Sequence, residues 1–319
     1  VRTVASMMLR RLLTMIPLML AIILFIFLVM ALSPNNAALS VLGNQATHAQ
    51  IAAFDHAHGL DRPLLVRYVV YLGALLHGDM GATFSLDQPI AGIIGQALPV
   101  TIQLTALGVA GAVVLALVLG IVGALYRDRW PDQLTRVISV AGIAVPSFWL
   151  AILMIQNFSA IGGGPFPSGH YVNPDDSLSD WLRHMVMPAI ALAVPVGCAL
   201  ARVVRTSMVE ELDRDYVRTA IGAGLPPLVV IGRNVLRNAL ITPLTVLGLQ
   251  IGYLIGGAVI IEAIFTLPGM GTQIMSAVQQ NDVGLARGLV ITIAVGFAVV
   301  NLVVDVLYLI VNPRLRGAR

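Results

Sequence analysis

"VTIQLTALGVAGAVVLALVLGIVGALY", Val100 to Tyr126, runs for 27 residues without a charged side chain. A bilayer core of about 30 Å takes roughly 20 apolar residues in a helix, so a run of this length reads as a membrane span. The rest of the chain agrees. Of its 319 residues 58% are hydrophobic and only 11% charged, with a mean hydropathy of +0.89, whereas soluble domains carry about a quarter charged residues. Further windows of similar character are Leu12–Leu32, Val137–Ile161, Met185–Leu200, Ala239–Phe265 and Gly288–Val311. The expected fold is an all-α integral membrane protein with six transmembrane helices.

Arg10 and Arg11 precede the first window as they would in a signal peptide, but its apolar run exceeds the 7 to 15 residues of an h-region. It is read as a retained span. The net charge of +3 does not point to nucleic acid, because its distribution has another cause. All 19 basic residues are arginine. Fifteen cluster at 2–11, 127–136, 202–237 and 314–319, and only Arg62, Arg67, Arg183 and Arg287 lie elsewhere. With both termini cytoplasmic this is the asymmetry of the positive-inside rule. The single Cys198 permits no intrachain disulfide.

Between the first two spans, residues 33–99 are expected on the outer side, as a small helical lid over the spans or as a tether. Thr47 to Gln50, "THAQ", has capping-box spacing and Gly59 can close the helix that follows. A second helix follows Pro63, with Leu64, Leu65, Tyr68, Val69, Leu72 and Leu76 at helical periodicity. "DQPIAGII" from Asp87 reads as a third helix start. All six histidines fall in the loops expected outside. His56 and His58, at i and i+2, diverge on a helix, so no metal site is expected. Pro146, Pro188 and Pro195 mark kinks that either face a water-filled path or only assist packing.

Several chemistries are excluded. A chain without lysine cannot carry the P-loop G-x-x-x-x-G-K-[ST], and neither H-E-x-x-H nor G-x-S-x-G is present. No catalytic residues are expected. Glu262 and Asp305 lie within or near spans, where an acid is a functional hypothesis by default. Asp305 shares a helix face with Asn301 and is read as structurally paired, with proton or ion coupling as the alternative. Glu262 precedes "AIFTLPGMG" and suits a gate near the outer surface.

The polar stretch "DYVRTAIGAGLPPLVVIGRNVLRN", Asp215 to Asn238, lies on the expected cytoplasmic side. Asp213 or Asp215 can cap a helix from Tyr216, Gly224 can stop it, and Leu225 follows as the hydrophobic residue of the cap. About nine residues span only roughly 13 Å and cannot cross a bilayer. Pro226 or Pro227 then starts a helix, Leu228 to about Leu240, that feeds the fifth span. The small residues Thr219, Ala220, Gly222 and Ala223 suit docking into a partner's groove better than an interfacial lipid anchor, which uses bulkier side chains.

"DYVRTAIGAGL" with "NVLRNALITPLTVLGLQ" resembles the cytoplasmic coupling loop of ABC importer permeases of the dipeptide, oligopeptide and nickel branch. "HGLDRPL", "GDMGATF", "PSFWLAI", "GGAVIIEAIFTLPGMG" and "NLVVDVLYLIVNPRLR" extend the likeness over nearly the whole chain. The family usually has Lys where Ala223 stands and rarely Gly at 222, and "SPNNAA" replaces its usual turn after the first span. The resemblance implies the type I importer permease fold, with residues 1–32 as the N-terminus and first span, 33–99 extracytoplasmic, and 100–319 the core containing a coupling loop at 205–238. It implies a bacterial inner-membrane, multi-pass subunit. Its expected partners are a second homologous permease, two ABC ATPase subunits or one fused ATPase, an extracytoplasmic solute-binding protein and membrane lipid. ATP and Mg would be bound by the ATPases and no cofactor by this chain.

By this resemblance Asp215, Tyr216, Arg218, Thr219, Ala220, Gly224 and Leu225 would meet the ATPase, braced by Arg237 and Asn238. Pro146, Ser147, Phe148, Trp149 and Gln250 would line the path, with Glu262, Pro268, Gly269 and Gly271 at the outer gate. The substrate would be a peptide, with nickel or another small solute as the alternative. A gradient-driven transporter using Asp305 or Glu262, or a scaffold without transport, are the rival classes.

Overall fold

The computed structural model describes residues 2–31, 37–43, 45–84 and 87–311. Most of the turn at 33–38, the side chains of Arg2, Arg10, Arg11 and Asp305, and Arg314, Arg316 and Arg319 lie outside the described residues. The helices are α1 (Arg2–Ala31), α2 (Ala37–Leu42), α3 (His48–Ala57), α4 (Leu64–Leu76), α5 (Ile90–Leu125), α6 (Trp130–Ala144), α7 (Ser147–Phe158), α8 (Leu178–Leu212) and α9 (Asp215–Gly222). They continue as α10 (Pro227–Val229), α11 (Leu236–Ala239), α12 (Ile241–Ile264), α13 (Met270–Gln279) and α14 (Val283–Val311). Among the described residues only two isolated bridges, Ala82 with Pro89 and Ser159 with Phe166, have strand character.

Among the described residues four helices are long and apolar enough to cross a membrane: α5, α8, α12 and residues 283–304 of α14. A fifth crossing is possible through α6 and α7 together, which are bent by 100°. The expected third span, Val137–Ile161, is therefore broken rather than gently kinked. The cause is Pro146, whose ring restricts Val145 to the extended backbone observed there (ψ 118°) and removes an N–H from the helix ladder. The expected helix start at Asp87 is also corrected. Asp87 sits in a turn at φ +51°, and Ile90 opens a single 36-residue helix through Pro99 to Leu125. Pro188 and Pro195 likewise lie inside the unbroken α8.

The chain forms two compact units. The first contains residues 102–267, with 300–311 and 2–4. In it α8 packs against α6, α7 and α12 and buries Met185, Met187, Leu192, Leu200, Val204 and Met208. Small residues set the helix spacing. A Cβ added at Gly197 would meet the Ala112 carbonyl at 2.9 Å, and one at Gly120 would meet Val204 at 2.6 Å. In a bilayer, where burying apolar side chains from lipid gains little, such close approach supplies much of the helix attraction.

The second unit contains residues 5–101 and 268–299. One apolar cluster joins Ile90, Ile94 and Ala97 to Met270, Leu285 and Leu289; another joins Ile23, Ile26 and Phe27 to Tyr71 and Ile291. Asp282 caps α14 by accepting from Leu285 N–H at 2.9 Å, and its second oxygen accepts from Phe84 N–H at 2.9 Å. The capping box at Thr47 and Gln50 is formed as expected. Gly59, at φ +63°, closes α3, with Leu60 N–H donating to Asp55 O and Gly59 N–H to His56 O. That is the Schellman pattern.

Helix α4 lies along α1 rather than over its end, because the Tyr68 hydroxyl donates to Leu20 O at 3.0 Å. Leu64, Tyr68, Leu72 and Leu75 pack on the cluster around Phe27. Leu65, Val69 and Leu76, expected on the same stripe, are exposed.

Candidate functional site

The segment between α8 and α12 is built from local backbone rules. Asp213 is the C-cap of α8, and Arg214 is the N-cap of α9 with no side-chain cap bond. Neither acid therefore caps α9 as expected. Asp215 is instead its first residue, where a carboxylate is favoured by the helix dipole. The C-terminus forms as expected. Gly224 takes φ +83°, its N–H donates to Ile221 O at 3.0 Å, and Leu225 N–H donates to Ala220 O at 3.2 Å. This left-handed position strains any residue with a Cβ. Ala223 holds the preceding C-cap at φ −76°, so the departure from Lys leaves the helix stop intact. A Cβ on Gly222 would enter open space.

Pro226 is extended and Pro227 starts α10, as the prolines suggested. The expected regular helix to Leu240 is interrupted by a π-helical turn, Val230–Val235. Such turns widen a helix and recur at functional sites.

The faces of α9 are unequal. Val217 is buried while every residue from Ile221 to Val229 is exposed, including Ile221, Leu225, Leu228 and Val229. The Tyr216 hydroxyl donates to Glu211 Oε2 at 2.8 Å and accepts from Asn238 Nδ2 at 3.4 Å. That oxygen ties α9 to the end of α8 and to α11. Of Arg237 and Asn238, expected to brace the segment together, Arg237 forms no hydrogen bond or ion pair among the described residues and Asn238 reaches Tyr216. Arg218 lies 3.9 Å from Asp215 across an exposed turn, a geometry that contributes little. Thr219 Oγ1 is turned onto Asp215 O.

Behind this segment sits a network that the sequence reading missed. The Asp132 carboxylate has no solvent exposure. Arg205 donates to it through Nε and through Nη2 at 2.7 Å, Arg136 through Nη2 at 2.7 Å and Nε at 3.2 Å, and Asp128 N–H at 3.0 Å. Two forked guanidinium contacts are the strongest form of such pairing. The absence of a side chain at Gly123 makes room, since a Cβ there would lie 2.7 Å from Thr135 Oγ1. Arg127 pairs with Asp213 at 2.8 Å, one residue before the α9 N-cap. The spacing of Asp132 and Arg136 is legible as an i,i+4 pair. Arg205, 73 residues away, becomes visible only when α6 packs on α8.

The path and gate residues are placed as follows. Pro146 is the N-cap of α7 and Ser147 its first residue; Phe148 and Trp149 are each 47% exposed. Gln250 is half-buried on α12, and Glu262 is wholly buried near the C-terminus of the same helix. Pro268, Gly269 and Gly271 belong to the second compact unit. There Gly269 is the N-cap of α13, and Met270 N–H donates to Thr101 Oγ1 at 2.9 Å. Asn301 is half-buried on α14. No group of His, Cys, Asp and Glu suited to a metal occurs among the described residues.

Residues 116–317 match the model of the family described as binding-protein-dependent transport system inner membrane component, and residues 4–105 match the model for the N-terminal part of such membrane components. The chain belongs to this family. Among family members, a putative peptide transport system permease protein of Brucella abortus is 38% identical over 98% of this chain and 99% of its own length. The glutathione transport system permease protein GsiC of Salmonella typhimurium is 34% identical over 97% of this chain and 98% of its own. In fold the chain is similar to the MetNI methionine ABC transporter in an inward-facing conformation, with a TM-score of 0.56 at 14% identity over 69% of this chain and 96% of that one. The family thus joins an all-helical, multi-pass architecture to a transport role.

Proposed function

We propose that this chain is the transmembrane permease subunit of an ATP-driven importer of peptides, and that α9 is where the energy of ATP hydrolysis enters it. The observation that carries the reading is the geometry of α9. It is an eight-residue helix stopped at Gly224, exposed continuously from Ile221 through that stop to Val229, and mounted between two long apolar helices. The names of the relatives favour peptides as the substrate class.

In this reading two ATPase subunits, or one fused ATPase, seat on Ala220, Gly224 and Leu225, with Asp215, Arg218 and Thr219 at the rim. Closure of the ATPases displaces α9. Tyr216 passes the displacement to α8 through Glu211 and to α11 through Asn238, while the Asp132 network keeps α6 and α8 moving together. ATP and Mg bind to the ATPases and this chain catalyses no reaction. A second permease completes the path, which here uses residues near Pro146 to Trp149 and Gln250, with Glu262 and the 268–271 turn at the outer gate. A solute-binding protein delivers substrate at the outer face, where residues 33–99 lie. The chain then crosses the inner membrane six times with both termini cytoplasmic.

The test is peptide uptake and ATPase co-purification in a reconstituted importer. Ala220→Trp is expected to abolish both, and Asp305→Asn to leave ATP-dependent uptake intact. Uptake that follows a proton gradient, fails in Asp305→Asn and survives Ala220→Trp would overturn the reading in favour of a gradient-driven transporter.

A further inference from the structure

Three of the four arginines that lie outside the basic clusters, Arg62, Arg67 and Arg287, line one cavity of about 210 Å³ in the second unit. A topology that keeps arginine away from this side of the chain needs a reason to gather three there. Their local partners do not supply one. Arg287 lies with its guanidinium carbon 3.9 Å from the centre of the Tyr71 ring and 4.7 Å from that of Phe27. Aromatic faces hold a cation without neutralising it. Among the described residues its Nε is buried with no acceptor in hydrogen-bond geometry, and the Tyr71 hydroxyl, which interacts with the Arg287 guanidinium, has no further partner. Among the described residues Arg67 reaches only the Leu60 carbonyl, at 3.5 Å. Among the described residues the one carboxylate on the wall is Asp79, which is exposed and accepts from Gly81 N–H at 2.8 Å, and Asp282, the other acid that Arg287 feels, is buried and accepts from Leu285 and Phe84 N–H. Three cations around one cavity, with the Nε of one of them buried and without an acceptor, are unusual in a folded protein and call for an acceptor.

The surroundings select the kind of acceptor. Val70 lines the cavity and continues into the exposed apolar face of α4, formed by Leu65, Val66 and Val69. The cavity is smaller than the roughly 300–1,000 Å³ of sites that enclose a small molecule whole. A charged head entering the cavity with apolar chains left lying on α4 matches both features. We infer that this cavity holds the phosphate of an anionic phospholipid, with Arg287 at its base, Arg62 and Arg67 at its rim, and the acyl chains against Leu65, Val66 and Val69. The inference is independent of the peptide-import reading, because it uses neither α9 nor the transport path.

The experiment is lipid retention by the purified full-length chain in neutral detergent, read by native mass spectrometry with phosphatidylglycerol and phosphatidylcholine as probes. Phosphatidylglycerol is expected to be retained in preference. The double variant Arg62→Gln with Arg67→Gln, at positions outside the packed core, is expected to lose roughly tenfold to thirtyfold in that affinity with helix content unchanged. Arg287→Gln is expected to abolish the preference. Equal retention of the two lipids, or wild-type preference in the double variant, would overturn the proposal. Displacement of phosphatidylglycerol by millimolar inorganic phosphate or by a free dipeptide would also overturn it, by assigning the cavity to a soluble anion.

Discussion

Asp132, wholly buried, and Arg287, half-buried on a cavity wall, are charged groups with opposite surroundings. The Asp132 carboxylate receives two arginines and a backbone N–H, whereas Arg287 lies on two aromatic rings with no hydrogen-bond acceptor among the described residues. A buried charge that is fully partnered acts as a rivet: removing one member strands the others. A half-buried charge held mainly by ring faces has no ion pair in contact to strand and stays available to a ligand. The difference assigns the first to mechanical integrity and the second to binding.

The largest effect should come from breaking the rivet. Asp132→Asn leaves Arg205 without its counter-charge and Arg136 with only the exposed Asp128, at 3.6 Å. Losing one partner of such a pair costs about 3–5 kcal/mol when fully buried, and the lower end is expected because both arginines are partly exposed. Thermal unfolding of the detergent-solubilised chain checks this; a shift no larger than that of an exposed substitution would remove the contrast with Arg287.

Next in size is Gly224→Val, which forces a β-branched residue into the left-handed C′ position of α9 at about 1–3 kcal/mol. It is expected to fray α9 and uncouple ATP hydrolysis from uptake while the spans stay folded. Gly222→Ala works in the other direction, strengthening α9 by about 1 kcal/mol because the added methyl meets nothing. ATPase co-purification should be at least as strong as in the wild type, and weaker retention would place the docking face on that side of the helix. Tyr216→Phe removes the hydrogen bonds to Glu211 and Asn238, with an expected loss of about 1 kcal/mol, measured as faster hydrogen exchange confined to α9 and α11. The smallest change in stability belongs to Arg287→Gln. It breaks no contact ion pair and loses the contacts with the Phe27 and Tyr71 faces, about 0.5–1 kcal/mol, while lipid preference disappears.

Parts of this molecule were legible from neighbouring residues alone. The capping box at Thr47 and Gln50, the left-handed stops at Gly59 and Gly224, and the helix start at Pro227 depend on four or five consecutive residues and were readable as such. Other features were not. Pro146 announces an interruption, but the 100° between α6 and α7 is set by how each half packs on α8. Leu65 and Val69 share a periodicity with Leu64 and Leu72, and only the position of α1 decides which pair is covered. Cap signals at Asp213 and Asp215 were overruled because Asp213 is engaged by Arg127, which is 86 residues away.

The sequence by itself determined that the chain is helical and membrane-spanning, where its arginine clusters fall, and where α3 and α9 begin or end. Hydropathy, charge distribution and backbone caps are properties of composition and short range. Only the tertiary structure decided that Asp132 is shared by Arg136 and Arg205, that Tyr216 links α8 to α11, and that Arg62, Arg67 and Arg287 surround one cavity. Those pairings join residues up to 225 positions apart, and such distances close only when helices pack through their small residues.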